Sequence, residues 1–96
     1  MKKILTTQPV DIALRSMDAD GVQQVEAWFD HLRNWETDEY VRTHSRRLDG
    51  VKGVSVLRTT SDLVIFFRMS GNTITILDLA KTPTIRAFET AAAGVE

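Results

Sequence analysis

The sequence predicts an α+β fold, in which an antiparallel sheet carries a helical hairpin on one face and is followed by a C-terminal helix. Three observations lead to this prediction. Residues 63–79 form two apolar runs around a Gly-Asn pair, residues 18–35 place apolar side chains at helical spacing, and a proline and a glycine bound an Ala-rich stretch at the end. The predicted order is β-α-α-β-β-β-α, in a single domain that covers residues 1–96.

The first half of the chain is predicted to supply one strand and two helices. The segment VDIALRS (10–16) alternates apolar and polar residues, as a strand does. A helix follows, with Asp18 or Asp20 as its N-cap and an apolar stripe of Val22, Val25, Trp28, Phe29 and Leu32. A second helix is predicted over about 38–49, ended by Gly50, with Tyr40, Val41, His44 and Leu48 on one side. The short link between the two helices predicts an antiparallel hairpin.

The second half is predicted to form a strand, a β-hairpin and a helix. The strand is GVSVLRTT (53–60), and the hairpin turns at Gly71-Asn72. The expected register pairs Arg68 with Thr75 and Ile65 with Asp78, so one face carries Ile65, Phe67, Met69, Ile74 and Ile76, and the other carries Val64, Phe66, Leu77 and Leu79. The last helix begins at Thr82-Pro83 and ends at Gly94.

Both faces of the predicted hairpin are apolar, whereas an antiparallel hairpin in a small protein usually has one face exposed to solvent. The helical hairpin would cover the first face. The short Ala-rich C-terminal helix would cover part of the second. Either that helix is sufficient, or a bound protein completes the burial.

Composition excludes several classes of protein. Hydrophobic content of 43% and charged content of 26% are those of an ordinary globular domain, and no apolar run is long enough for a membrane span or a signal peptide. The expected location is therefore the cytoplasm. With no cysteine and two histidines, neither a disulfide nor a structural zinc site is expected, and no cofactor is predicted.

The net charge of −1 conceals an uneven distribution along the chain. Residues 18–39 hold seven acids and one base, whereas residues 40–88 hold eight bases and three acids. Such asymmetry is typical of a protein with an anion-binding side, although scattered solvated charges produce it as well. Within the basic half, the run RTHSRR (42–47) nominates Arg46 and Arg47, with Arg68 of the hairpin, as nucleic-acid-binding residues.

The order of elements and the segment VLRTTSDLVIFFRMSGNTITILDLAKTPTIRAF resemble the RelE/ParE superfamily of bacterial toxin proteins. The resemblance covers about residues 10–88 and consists of a hydrophobic pattern with a turn, rather than a set of invariant catalytic residues. It implies a toxin of a type II toxin–antitoxin pair. Some such toxins cut messenger RNA on the ribosome, others inhibit DNA gyrase, and a cognate antitoxin silences both kinds. An antitoxin segment could then cover the second apolar face through Val64, Phe66, Leu77 and Leu79.

The resemblance leaves the activity open. RelE-type nucleases have basic residues at positions where this chain has 54–57, an arginine where it has Leu63, and a tyrosine at about Phe88. Arg58, Lys81 and Arg86 remain as candidate catalytic residues that could stabilise charge on a phosphate. The alternatives are a gyrase inhibitor without nuclease activity, or a family member that only binds protein. Whether the chain is an enzyme is therefore undecided by its sequence.

Two further side chains raise questions about chemistry. His44 is the one reasonable proton carrier in the basic half, although a half-buried histidine bonded to a neighbour is the simpler interpretation. Asp78 lies within an apolar strand, where a carboxylate needs a partner. A salt bridge to an arginine such as Arg58 is the expected arrangement.

Overall fold

The computed structural model describes residues 1–48 and 50–81. The elements of this part are β1 (Lys3–Thr6), α1 (Gln8–Arg15), α2 (Ala19–Arg33), α3 (Glu39–His44), β2 (Ser45–Arg47), β3 (Ser55–Arg58), β4 (Leu63–Ser70) and β5 (Thr73–Lys81). The strands form one sheet in the order β1-β5-β4-β3-β2. The predicted α+β class is confirmed, whereas the predicted helix from Thr82 and the candidate Arg86 lie outside the described residues.

The predicted strand over 10–16 is wrong, because these residues belong to α1. Val10 is buried, and Ala13, Leu14 and Met17 pack against the core, which is the spacing of one helical face. Pro9 in the first turn and Arg15 in the last turn also favour a helix. The alternation of apolar residues was misleading because Ile12, which a strand would bury, is 54% exposed.

The first strand instead lies at residues 3–6, and it runs parallel to β5 with Ile4 opposite Ile74. The sheet is therefore mixed, not purely antiparallel as predicted. The other strand pairs are antiparallel. The N-terminal strand occupies one edge of the sheet, and the short β2 occupies the other.

The strongest predicted helix is confirmed as α2. Asp18 is its N-cap, and its carboxylate accepts a hydrogen bond from the Gly21 N–H at 2.8 Å. Val25, Phe29 and Leu32 are buried on its inner side. These three side chains pack α2 against the sheet at the helical spacing that the sequence predicted.

The second predicted helix is much shorter than expected. It is capped by Asp38 and ends at His44, after which Ser45 is extended and begins β2. Pairing with β3, Ser45 opposite Leu57 and Arg47 opposite Ser55, replaces further helical turns. Because pairing with β3, rather than the propensity of these three residues, makes them extended, local helix propensity could not reveal this edge strand.

The hairpin is confirmed, but its register changes halfway. Arg68 faces Thr75 and Phe67 faces Ile76 as predicted, whereas Phe66 faces Asp78 and Ile65 faces Leu79. Leu77 is the extra residue of a β-bulge. The bulge puts Leu79, not Asp78, opposite Ile65, which corrects the predicted faces.

All three helices pack on the side of the sheet that we call the core face, defined by Leu57, Ile65, Phe67, Ile74 and Ile76. Each helix contributes buried residues to this cluster, including Val10, Phe29 and Val41. Trp35, which follows α2, packs its ring against Phe67 with centroids 6.1 Å apart. None of the helices in the described ranges is both long and apolar enough to span a bilayer.

Candidate nucleic-acid interface

The side of the sheet opposite the core face, which we call the second face, carries three exposed arginines. Cross-strand partners share a face, so Arg46 lies beside Val56 and Arg58 lies beside Val64. Arg68, opposite Thr75, alternates with Phe67 of the core face and therefore points to the second face. The register thus brings two of the predicted nucleic-acid-binding residues and one predicted catalytic residue to a single face.

These cations carry no carboxylate partner within residues 1–48 and 50–81. Arg68 extends towards the loop before β3, where a Cβ added to Gly53 would come within 3.6 Å of its Nε. The Asp78 carboxylate, which the register places beside Phe66, accepts a hydrogen bond from the Leu79 N–H at 2.8 Å. The salt bridge predicted between Asp78 and Arg58 is absent from the described contacts, because the bulge gives this carboxylate a backbone partner. The arginines are therefore available to an external anion.

The floor between these arginines is apolar. Val54, Val56 and Val64 are buried, and Phe66 is partly buried. Buried valines cannot contact phosphate, so any polyanion on this face must be held by Arg46, Arg58 and Arg68, which we call the arginine rim. Val54 and Val56 stand at two of the positions, 54–57, at which the resemblance implies basic residues in RelE-type nucleases.

A histidine of α3 lies near the backbone of Arg58, on the side of the sheet where Tyr40 packs against the core. The His44 and Tyr40 rings stack with centroids 3.8 Å apart, and the Tyr40 hydroxyl is 3.4 Å from the carbonyl oxygen of Arg58. His44 Nδ1 lies 3.0 Å from the Tyr40 carbonyl oxygen. Because a carbonyl oxygen only accepts, Nδ1–H is the donor in this contact, and the tautomer with its proton on Nδ1 has Nε2 as its proton acceptor. The sequence nominated His44 and Arg58 separately and gave no sign that Tyr40 joins them.

The other candidate catalytic residues are placed differently. Lys81 is opposite Leu63, one position beyond the pair of Val64 and Ala80, so the register points it away from the second face. Its Nζ lies 3.6 Å from Asp62 Oδ1, and both side chains are largely solvated. Lys81 and Arg58 nevertheless lie at the same end of the sheet, where β3 and β5 both finish. Arg47, opposite Ser55, points to the core face instead.

Of the four residues predicted to bind a partner, two are buried and two are partly exposed. Val64 is fully buried, and Leu79 belongs to the buried cluster of the core face. Phe66 and the bulged Leu77 are partly exposed. A partner could therefore reach the latter pair directly.

Asp38 and Glu36, two acids of the first half, take part in structural contacts away from the arginine rim. The His31 Nδ1–H donates to the carboxylate of Asp38, which also accepts from the Val41 N–H at the start of α3. These two hydrogen bonds hold the pKa of Asp38 below its ordinary value. A backbone N–H and the Lys2 ammonium group likewise lower the pKa of Glu36. No group of three metal-ligating side chains is found in the described part of the chain.

Comparison with known proteins gives the fold an identity. No protein-family model and no curated protein matches the sequence. Among solved structures, a chain of the RelB–RelE antitoxin–toxin complex of Methanococcus jannaschii aligns with TM-score 0.64 and 12% identity, covering 88% of this chain and 96% of that chain. A chain of the archaeal RelE–RelB complex of Pyrococcus horikoshii aligns with TM-score 0.62 and 18% identity, covering 84% of this chain and 94% of that chain. YafQ of Escherichia coli aligns with TM-score 0.56 and 12% identity, covering 88% of this chain and 98% of that chain. The chain has the RelE/ParE-like toxin fold.

Proposed function

We propose that this protein is the toxin of a type II toxin–antitoxin pair, acts on RNA in the cytoplasm, and is held inactive by a cognate antitoxin. The fold supports the class, because similar chains occur in RelB–RelE and DinJ–YafQ complexes. One observation favours RNA as the target. Tyr40 stacks on His44, and its hydroxyl lies 3.4 Å from the backbone carbonyl oxygen of Arg58, whose side chain shares the second face with Arg46 and Arg68.

RNA strand cleavage by its own 2′-hydroxyl needs three roles. A base removes the hydroxyl proton, a cation stabilises the charge that develops on the phosphate oxygens, and an acid protonates the departing 5′-oxygen. His44 Nε2 suits the first role, and the Arg58 guanidinium suits the second. Lys81, at the same end of the sheet, is the candidate for the third role or for further charge stabilisation.

The antitoxin is proposed to bind over the second face. Phe66 and Leu77 offer it partly exposed apolar side chains between exposed arginines. A segment that combines apolar and acidic residues would complement this surface. The bound antitoxin would cover the arginine rim that RNA needs. Antitoxin binding and RNA binding would therefore use the same residues.

A second candidate function is inhibition of DNA gyrase without nuclease activity. The buried Val54 and Val56 favour it, because they leave the strand centre without a group that can contact phosphate. A third candidate is a protein-binding module with no activity.

Growth assays in a bacterial host can separate these functions. The chain should arrest growth when expressed alone, and co-expression with the product of its genomic neighbour should relieve the arrest. The double variant Arg58→Ala with Lys81→Ala should be harmless and should melt within a few degrees of the parent, because both side chains are exposed. The charge-matched control is Arg15→Ala with Lys3→Ala, which should remain toxic.

Messenger RNA breaks and gyrase-linked DNA breaks are then scored in the arrested cells. RNA breaks that disappear in the Arg58–Lys81 double variant support the proposed function. DNA breaks without RNA breaks support the gyrase candidate, and growth without arrest supports the inactive module. Persistent arrest by a folded double variant would exclude this site.

A further inference from the structure

A pocket of about 320 Å³ opens on the core face, near edge strand β2. Its lining comes from three neighbouring strands and from the chain that passes over them, and it includes Trp35, Arg42, Ser45, Arg47, Phe67 and Met69. Arg46, one of the arginines of the second face, also borders it.

One side of the pocket is apolar and aromatic. Phe67 forms a buried floor, and the Trp35 ring meets it edge to face at 6.1 Å between centroids. Trp35 and Met69 are only partly buried, so both keep surface for another flat ring. An indole ring and a thioether both pack well on a planar heteroaromatic group.

The other side is cationic. Arg42 on α3 and Arg47 on β2 are exposed and border the pocket, with Arg46 beside them. Among the described residues, no acid lines it and no carboxylate pairs with these guanidinium groups. Guanidinium groups favour phosphate because their fork of donors matches two of its oxygens.

We propose that this pocket binds a free mononucleotide, with the base packed against Trp35 and Met69 and the phosphate held by Arg42 and Arg47. The volume is at the lower limit for small-molecule sites, which suits a single nucleotide rather than a peptide. Arg46 borders the pocket and also belongs to the arginine rim, but occupancy of the pocket does not require the proposed RNA activity.

Fluorescence titration of the purified chain tests this inference. Trp28→Phe leaves Trp35 as the single indole, and AMP should then quench its emission to saturation. Adenosine and inorganic phosphate should each bind at least about tenfold more weakly than AMP, because adenosine lacks the phosphate group and inorganic phosphate lacks the base. Arg42→Gln with Arg47→Gln should weaken AMP binding by about tenfold or more. Arg15→Gln, on α1, should have no effect.

The ligand comparison within one protein decides the outcome even if a pocket variant fails to fold. Equal affinity for adenosine and AMP would refute the phosphate contact, and equal affinity for phosphate and AMP would refute the aromatic contact. No quenching, or an acidic peptide that binds this pocket more tightly than AMP, would overturn the proposal. Loss of toxicity in the Arg58 variant does not bear on these measurements, so the two proposals can fail independently.

Discussion

The Thr7 hydroxyl lies 3.0 Å from the carbonyl oxygen of Leu77, the bulged residue of β5. It also lies 2.9 Å from the carbonyl oxygen of Ile76. A bulge leaves its extra residue without a regular partner in the ladder. Thr7, at the junction of β1 and α1, therefore donates to the Leu77 carbonyl oxygen the hydrogen bond that the hairpin ladder does not provide.

Removing this hydroxyl should destabilise the fold. We expect Thr7→Val to lower the free energy of unfolding by about 1 kcal/mol, because it leaves partly buried carbonyl oxygens unpaired while preserving side-chain shape. Thr7→Ser retains the hydroxyl and should lose less. Urea unfolding of the three proteins measures the difference, and equal midpoints for Val and Ser would show that the bond contributes nothing.

The bulge explains why Asp78 is compatible with an apolar strand. A regular ladder would place its carboxylate opposite Ile65 on the core face, where burial of a charge is costly. One extra residue moves Asp78 to the second face and puts Leu79 beside Ile65. An acid within an otherwise apolar strand was thus a sequence signal for the bulge, although it was interpreted as a sign of a salt bridge.

Elements defined by local pattern were predictable from the sequence, and those defined by contacts beyond it were not. The stripe of α2 and the turn at Gly71 depend on near neighbours, and both are confirmed. The edge strand β2 exists because Ser45 and Arg47 pair with β3, which no local pattern reveals. For the same reason, the sequence nominated Arg58 and His44 but not the Tyr40 contacts that join them, nor the pocket at Ser45.

The turn at Gly71 should tolerate little change. Gly71 has φ of 58°, whereas no other residue type in the described ranges has positive φ, so Asn72 does not share this conformation. Glycine at the first central position with positive φ is the pattern of a type II′ turn. We expect Gly71→Ala to cost about 1–2 kcal/mol in the free energy of unfolding. Asn72→Asp, which leaves the glycine intact, should cost less, and urea unfolding of both variants checks the order.

The pair of His31 and Asp38 should make stability depend on acid pH. The folded pKa of Asp38 is depressed, first by the His31 hydrogen bond and then by the Val41 N–H. A depressed folded pKa means that the stabilisation is present above the unfolded pKa, about 3.9 for aspartate, and is lost as pH falls through the folded value. We therefore expect stability to decline between about pH 5 and the folded pKa.

Asp38→Asn isolates this effect, because asparagine still caps a helix but carries no charge. The variant should lose about 0.5–1 kcal/mol at pH 6 and should show a shallower decline in acid. Asp18→Asn is the matched control, since Asp18 caps α2 through the Gly21 N–H without a histidine partner among its described contacts. Urea midpoints measured from pH 6 to pH 3 test the difference, and identical slopes for the parent and the Asp38 variant would refute it.

The role of His44 can be separated from its structural contact by two amide substitutions. In His44→Asn, the side-chain NH₂ can replace Nδ1 and keep the bond to the Tyr40 carbonyl oxygen, while the Nε2 position is lost. In His44→Gln, the amide can occupy the Nε2 position but cannot exchange a proton near neutral pH. If His44 is the base, both variants should fold as the parent does and should cleave RNA about 10²–10⁴-fold more slowly.

The dependence of cleavage on pH then distinguishes a base from a packing residue. In the parent, general-base catalysis by an imidazole should make the cleavage rate rise with pH. The residual rate of His44→Asn should lack that rise. Tyr40→Phe provides the positioning control: it removes the hydroxyl near the Arg58 carbonyl oxygen but keeps the ring that stacks on His44, so its rate should fall modestly while the pH profile keeps its shape. An unchanged profile in His44→Asn would show that the proton goes elsewhere and that Arg58 acts without this histidine.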